Sequence, residues 1–260
     1  MVFVPACTLS EKSMEMRWGM IVEYAPLFID GAVMTLVITL IAVVFGSLIG
    51  LFMGMARLAS APHGFARFFL EYFVKWPATA YVTFFRGTPL FVQILLAHFA
   101  LMPALIHPVD GLLIDGDLAR EIRQNYGAFI SGLLALTLNA GAYITEIFRA
   151  GIQSIDKGQV EAARSLGLTY GQAMRFVVVP QAFRRMLPPL GNEAIMLLKD
   201  SSLVSAIGLA ELAFAARTVA GVYSRYWEPY LTISFMYLAL TMLMAWGLSR
   251  LEKHYQLASR

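Results

Sequence analysis

Glu161, Ala162 and Ala163 form a triplet that is followed after three residues by Gly167, and after nine more by Val177-Val178-Val179-Pro180. Residue types at this spacing do docking chemistry rather than bond-making chemistry. Two alanines let a short helix lie close to another surface. Gly167 permits a tight turn into a second helix, where a side chain would clash or the φ angle would be unfavourable. Glu161 offers one fixed charge to a partner. The triplet alone describes an ordinary amphipathic loop helix, and it is the complete spacing through Gly167 to Pro180 that marks a docking surface.

A second set consists of polar residues inside apolar stretches, where ionisable groups are costly and therefore functional candidates. Glu146 has two readings: a pathway carboxylate that meets an ammonium or cationic side chain, or an interfacial acid paired with Arg149, three residues on and on the same helical face. Arg86 stands beside Gly87 and Pro89, where a helix is expected to break. Freed backbone groups and the guanidinium then line a cavity, or the arginine simply locks two helices together. Gln93 and Asn139 complete the candidate pathway, with interhelical hydrogen bonding as their more ordinary role. Lys199 and Asp200 are adjacent in sequence and are expected to neutralise each other near the outer surface.

Enzyme chemistry is not indicated. A single cysteine, Cys7, excludes an internal disulfide, and His63, His98, His107 and His254 are too scattered for a metal motif. No G-x-x-x-x-G-K-[ST] phosphate loop occurs, so energy from ATP has to come from another chain, and no cofactor is expected on this one. The 20 Lys/Arg form no basic stripe of the kind that binds nucleic acid.

The elements that position these residues follow from composition: 58% of the 260 residues are apolar and 14% charged. Residues 31–56, 126–145 and 229–249 are uncharged runs of 26, 20 and 21 residues. Each is long enough as a helix, at about 1.5 Å per residue, to cross a hydrocarbon core of roughly 30 Å. Spans are therefore expected at 27–56, 126–148 and 228–249. Residues 68–108 and 186–210 are apolar but carry charges, and the first of them is compatible with one span or two. Residues 149–185 carry six Lys/Arg against Asp156 and Glu161, and Arg250, Lys253 and Arg260 lie near the C-terminus. Lys/Arg bias places both regions in the cytoplasm and the acidic 103–125 loop outside. Charge does not orient the N-terminus, because Lys12 and Arg17 balance Arg57 and Arg67. Met14, Met16 and Met20 are alternative starts, and the first residues do not resemble a cleaved signal peptide. No internal repeat is evident, so a pseudo-symmetric path needs a second subunit.

The triplet, Gly167 and the apolar pair Val177 and Val179 before Pro180 resemble the EAA signature of ABC import permeases. Residues 85–93 (FRGTPLFVQ), 142–152 (AYITEIFRAGI), 180–185 (PQAFRR) and 198–203 (LKDSSL) resemble segments of the polar amino acid uptake permeases, of the histidine/glutamine/arginine type. The likeness covers roughly residues 24–252. It departs at the N-terminal extension and in the 103–125 loop, which is longer than usual.

This resemblance implies an all-α membrane protein of about five transmembrane helices with the type I ABC importer permease fold, N-terminus outside and C-terminus cytoplasmic. It implies an extracytoplasmic segment at 1–26, a permease domain at 27–252 with a coupling loop at about 151–185, and a cytoplasmic tail at 253–260. The location implied is the bacterial inner membrane. Partners implied are ABC ATPase subunits that use ATP and Mg, an identical or homologous second permease subunit, and an extracytoplasmic amino acid-binding protein. Glu161, Ala162, Ala163, Gly167 and Pro180 would couple to the ATPase. Glu146 meeting a substrate's positive charge would favour arginine or histidine. The rival is an ion-coupled secondary transporter or a membrane assembly factor, for which Glu146 and Glu193 are the only plausible deep carboxylates.

Overall fold

The computed structural model describes residues 16–59 and 64–255. Expectations for Cys7, His63, the candidate start Met14 and residues 256–260 lie outside the described residues. Nine helices run in order among these residues: α1 (Gly19–Glu23), α2 (Ala25–Leu58), α3 (Phe65–Gly87), α4 (Leu90–Leu105), α5 (Gly116–Gln153), α6 (Lys157–Ser165), α7 (Tyr170–Ile207), α8 (Leu212–Tyr223) and α9 (Trp227–His254). A single bridge between Ile106 and Ile114 closes the turn between α4 and α5.

Helices α2, α5 and α9 are long and apolar enough to cross a membrane alone, as their uncharged runs require. The two ambiguous stretches become bent pairs, α3–α4 at 107° and α7–α8 at 47°, giving up to five spans. Proline and glycine explain both bends. Thr88 and Pro89 are extended, which ends α3 and restarts the helix at Leu90. Gly208, at φ +88°, closes α7 in the left-handed conformation.

Packing of α2 on α5 decides the orientation that charge leaves open. Gly46, Gly50 and Gly54 recur every four residues and form a stripe of small residues that admits a neighbouring backbone. A Cβ on Gly46 would lie 3.0 Å from Ala140, one on Gly50 2.5 Å from Ile144, and one on Gly54 3.0 Å from Phe148. Residue numbers rise together along the contact, so α2 and α5 run in the same direction. Since α5 ends at the basic cytoplasmic region, α2 also ends there and begins outside. The chain between them must return across the membrane an odd number of times, so α3–α4 is one broken span rather than two. Helix α7 runs against α5, with Met186 beside Gly151 and Val204 beside Gly132. Helix α9 brings the chain back to the cytoplasmic side.

Two buried clusters hold these helices. One joins Ile38, Ile94, Leu136, Ile144, Leu197 and Val204 from α2, α4, α5 and α7. The other, nearer the outer ends, joins Phe28, Leu212, Val219 and Ile233 from α2, α8 and α9. Several boundaries differ from expectation. Helix α5 starts at Gly116, so part of the 103–125 loop is helical, whereas the 151–185 loop is mostly helix as its glycine-punctuated pattern implies. Pro180 ends nothing: it lies in the first turn after a π-helical turn at Met174–Val178, whose wider ring leaves room for a side chain that a regular turn excludes.

Candidate functional site

The segment from Glu161 to Pro180 lies in a helix–turn–helix built from α6 and the start of α7. The Asp156 carboxylate accepts from Gly158 N at 2.6 Å and caps α6. Gly167 sits at φ +87°, a backbone conformation that favours glycine. Its N–H donates to Arg164 O at 3.0 Å and the N–H of Leu168 to Ala163 O at 3.2 Å, the paired bonds of a Schellman stop. Thr169 and Gln172 then form a capping box that starts α7. Arg185 donates to the carbonyl and, at 3.2 Å, to the hydroxyl of Ser154, which ties the base of the hairpin to the end of α5.

The alanines of the triplet face different ways. Ala163 is buried against its own chain, whereas Glu161 and Ala162 are exposed. At the tip Leu166 is 83% exposed, and Tyr170 is exposed beside it. Beneath the hairpin lie Ile155, Val178, Ala182 and Met186, with Val160 and Met174 packed on them. The surface is therefore firmly seated on the spans and presents apolar side chains and one acid outward.

The four candidate pathway residues separate into two pairs. Glu146 and Arg86 line a cavity of about 560 Å³ between α3, α5 and α7, together with Tyr143, Arg185, Asn192 and Glu193. Both readings of Glu146 meet here, because it lines the cavity and also pairs with Arg149, Nη2 to Oε2, at 2.7 Å. A second partner is Arg57, at the end of α2. Arg86 stands 3.9 Å from the same carboxylate and lies over the Tyr143 ring at 5.2 Å. The charge of Glu146 is thus already matched by arginines of this chain. Glu193 lines the same cavity with no cation within ion-pair distance among the described residues.

Gln93 and Asn139 are buried and do not line this cavity. Asn139 Nδ2 donates to Gln93 Oε1 at 3.0 Å and to Phe85 O at 3.2 Å. Gln93 Nε2 donates to Phe85 O at 2.9 Å and Thr88 O at 3.0 Å. The two amides satisfy carbonyls released where α3 breaks and so hold Arg86 at the bend.

Glu146 and Glu193 are not the only deep carboxylates, which corrects the sequence expectation. Glu211 is fully buried. It caps α8 by accepting from Ala213 N and Phe214 N, each at 2.9 Å, and from the Tyr237 hydroxyl at 2.7 Å. Thr35 of α2 approaches it at 3.4 Å. Glu228 is buried too, but in the first turn of α9 at its outer end rather than at depth, accepting from Arg225 Nε at 2.8 Å and from Arg17 N at 2.9 Å. Sequence offered one signal for Glu211: an acid directly before a helical apolar run, the pattern of a cap.

A bundle of broken and unbroken spans, with a polar cavity opening beside a seated cytoplasmic hairpin, defines a membrane permease. Residues 64–256 match the family described as binding-protein-dependent transport system inner membrane component. The chain belongs to that family and is a component of the bacterial inner membrane. It is 35% identical over 244 residues to the glutamine transport system permease protein GlnP of Escherichia coli (strain K12), covering 94% of this chain and 100% of GlnP. To the glutamate/aspartate import permease protein GltK of Escherichia coli O6:H1 it is 38% identical over 229 residues, covering 88% and 93%. Its fold matches a crystal structure of an amino acid ABC transporter with histidines, at a TM-score of 0.75 and 39% identity, covering 93% of this chain and 100% of that one.

Proposed function

We propose that this chain forms the membrane path of an ATP-driven importer of polar amino acids. Two such subunits, identical or homologous, enclose the path, and an extracytoplasmic binding protein delivers the substrate. Two partner ATPases hold ATP and Mg and engage the hairpin of Glu161, Ala162, Ala163 and Gly167, with Pro180 at its base. The observation that carries this reading is the hairpin itself. An exposed Leu166 and Glu161 on a turn locked by Gly167, seated directly on α5 and α7, is a rigid lever between a soluble partner and the spans. Closure of the ATPases then favours one arrangement of the spans through their differential contact with the lever.

The cavity supports a zwitterionic substrate. Arg86 suits an α-carboxylate, and Glu193 suits an ammonium or guanidinium group. A preference for arginine or histidine rests on Glu193 in this reading, because Glu146 is matched by Arg57 and Arg149.

The test is uptake of labelled amino acids into vesicles that hold this chain with its ATPase, its second permease subunit and its binding protein, with and without internal ATP. Uptake is expected to need ATP and to be abolished by Glu161→Lys or Gly167→Arg with membrane insertion intact. Glu193→Gln is expected to weaken uptake of cationic amino acids more than of neutral ones. Uptake driven by an ion gradient with this chain alone would instead make it a secondary transporter. Equal losses for cationic, neutral and acidic substrates would remove the role given to Glu193.

A further inference from the structure

A second cavity, of about 520 Å³, lies between the outer ends of α4 and α5. Its polar lining comes from His98 of α4 and from Arg120, Arg123 and Gln124 of α5, and its apolar lining includes Phe99 and Met102. Arg120 and Arg123 are three residues apart and share one helix face. Arg120 has only a long contact to the fully exposed Asp117, at 3.7 Å. Arg123 is half-buried and makes no side-chain hydrogen bond or ion pair among the described residues. His98 is held on the cavity wall by Ser131, 2.8 Å away, on the same side of α5. Two guanidinium groups kept together with only one long contact to an acid point to a ligand that brings an anion.

Depth identifies the source. The cavity reaches Gly127, where the uncharged run of α5 begins, and opens beside Phe99, a large apolar side chain exposed on this chain. That is the level at which a phosphate group lies in a bilayer, with acyl chains directly beneath. Guanidinium groups recognise phosphate oxygens through paired charge-assisted hydrogen bonds. We infer that Arg120 and Arg123 form a binding site for the phosphate headgroup of an anionic phospholipid of the outer leaflet, with His98 as a wall of the cavity and Phe99 and Met102 against its glycerol and upper acyl region.

The test uses the assembled transporter in detergent, incubated with labelled phosphatidylglycerol and washed. Arg123→Gln is expected to lower retained lipid about tenfold, the equilibrium weight of one charge-assisted hydrogen bond. Arg120→Gln with Arg123→Gln is expected to lower it further, and Arg123→Lys to keep part of it. Arg250→Gln, which removes one positive charge at the cytoplasmic end, is expected to retain lipid like the unaltered protein. Equal retention in the Arg123→Gln and unaltered proteins overturns the proposal, as does an equal loss in Arg250→Gln. Displacement of the lipid by millimolar inorganic phosphate overturns it in favour of a small soluble anion. If Arg123→Gln retains the lipid but abolishes the response to the binding protein, the pocket holds a carboxylate of that protein instead.

Discussion

Residue types in this chain act through partners far away in sequence, and Glu211 is the clearest case. A carboxylate in a membrane interior is costly unless its oxygens are fully used. Glu211 meets that condition by accepting from two α8 amides and from Tyr237, while Thr35 lies close by. Glu211→Leu removes the acceptor and leaves those donors buried, so it is expected to cost about 2–4 kcal/mol. Glu211→Gln keeps the shape and one acceptor and should lie between. Thermal unfolding of the detergent-solubilised protein checks this, and a Leu variant as stable as the parent would refute it. Thr35 is 176 residues from Glu211, and Arg57 is 89 from Glu146, which is why neither pairing is legible in the sequence. Arg149 is legible beside Glu146 because an i,i+3 pair needs only a helix.

At the scale of elements, two surfaces do different work. The α2 stripe holds the bundle together. Gly50→Ile would put a branched side chain where even a Cβ lies 2.5 Å from Ile144, forcing α2 off α5. Overpacking of this kind costs typically about 1–3 kcal/mol. A lower unfolding temperature and loss of uptake together are the expected result, whereas Gly247→Ala, whose added Cβ meets nothing within 4 Å, should leave both unchanged. The α6–α7 hairpin, by contrast, leaves Leu166 and Tyr170 exposed at its tip, where they add little to stability. Leu166→Asp places a charge at an exposed tip, so folding should be unaffected. If an ATPase holds this tip, stimulation of ATP hydrolysis by substrate-loaded binding protein should fall severalfold, and full stimulation in the Leu166→Asp transporter would remove the tip from the interface. The hairpin was legible because its glycine and its spacing are local. The seating of Ala163 inward and Ala162 outward was not, since it depends on where α7 passes beneath them.

For the whole molecule, direction matters more than the number of apolar runs. Long uncharged stretches disclose α2, α5 and α9, but a bent span with Arg86 or Glu193 inside it has no such signature, and the balanced flanking charges say nothing of which side the chain begins on. Parallel packing of α2 and α5 supplies what is missing, because one pair of helices with known relative direction sets the parity of everything between them. With α5 ending at the basic side, the start of α2, the turn between α4 and α5 and the turn between α8 and α9 must all be outside. The α6–α7 turn and the end of α9 must be inside. This is testable with single cysteines in a protein whose one native cysteine, Cys7, has been replaced by serine. In intact spheroplasts a membrane-impermeant maleimide should label Asp110→Cys and Ser224→Cys, and should label Ser165→Cys only after the membrane is opened. Labelling of Ser165→Cys in closed spheroplasts would invert the protein, and with it the side on which an ATPase could meet the hairpin. Failure of Asp110→Cys alone to label would put both ends of α5 inside, so that α5 could not be a span and the odd number of crossings between α2 and α5 would fall.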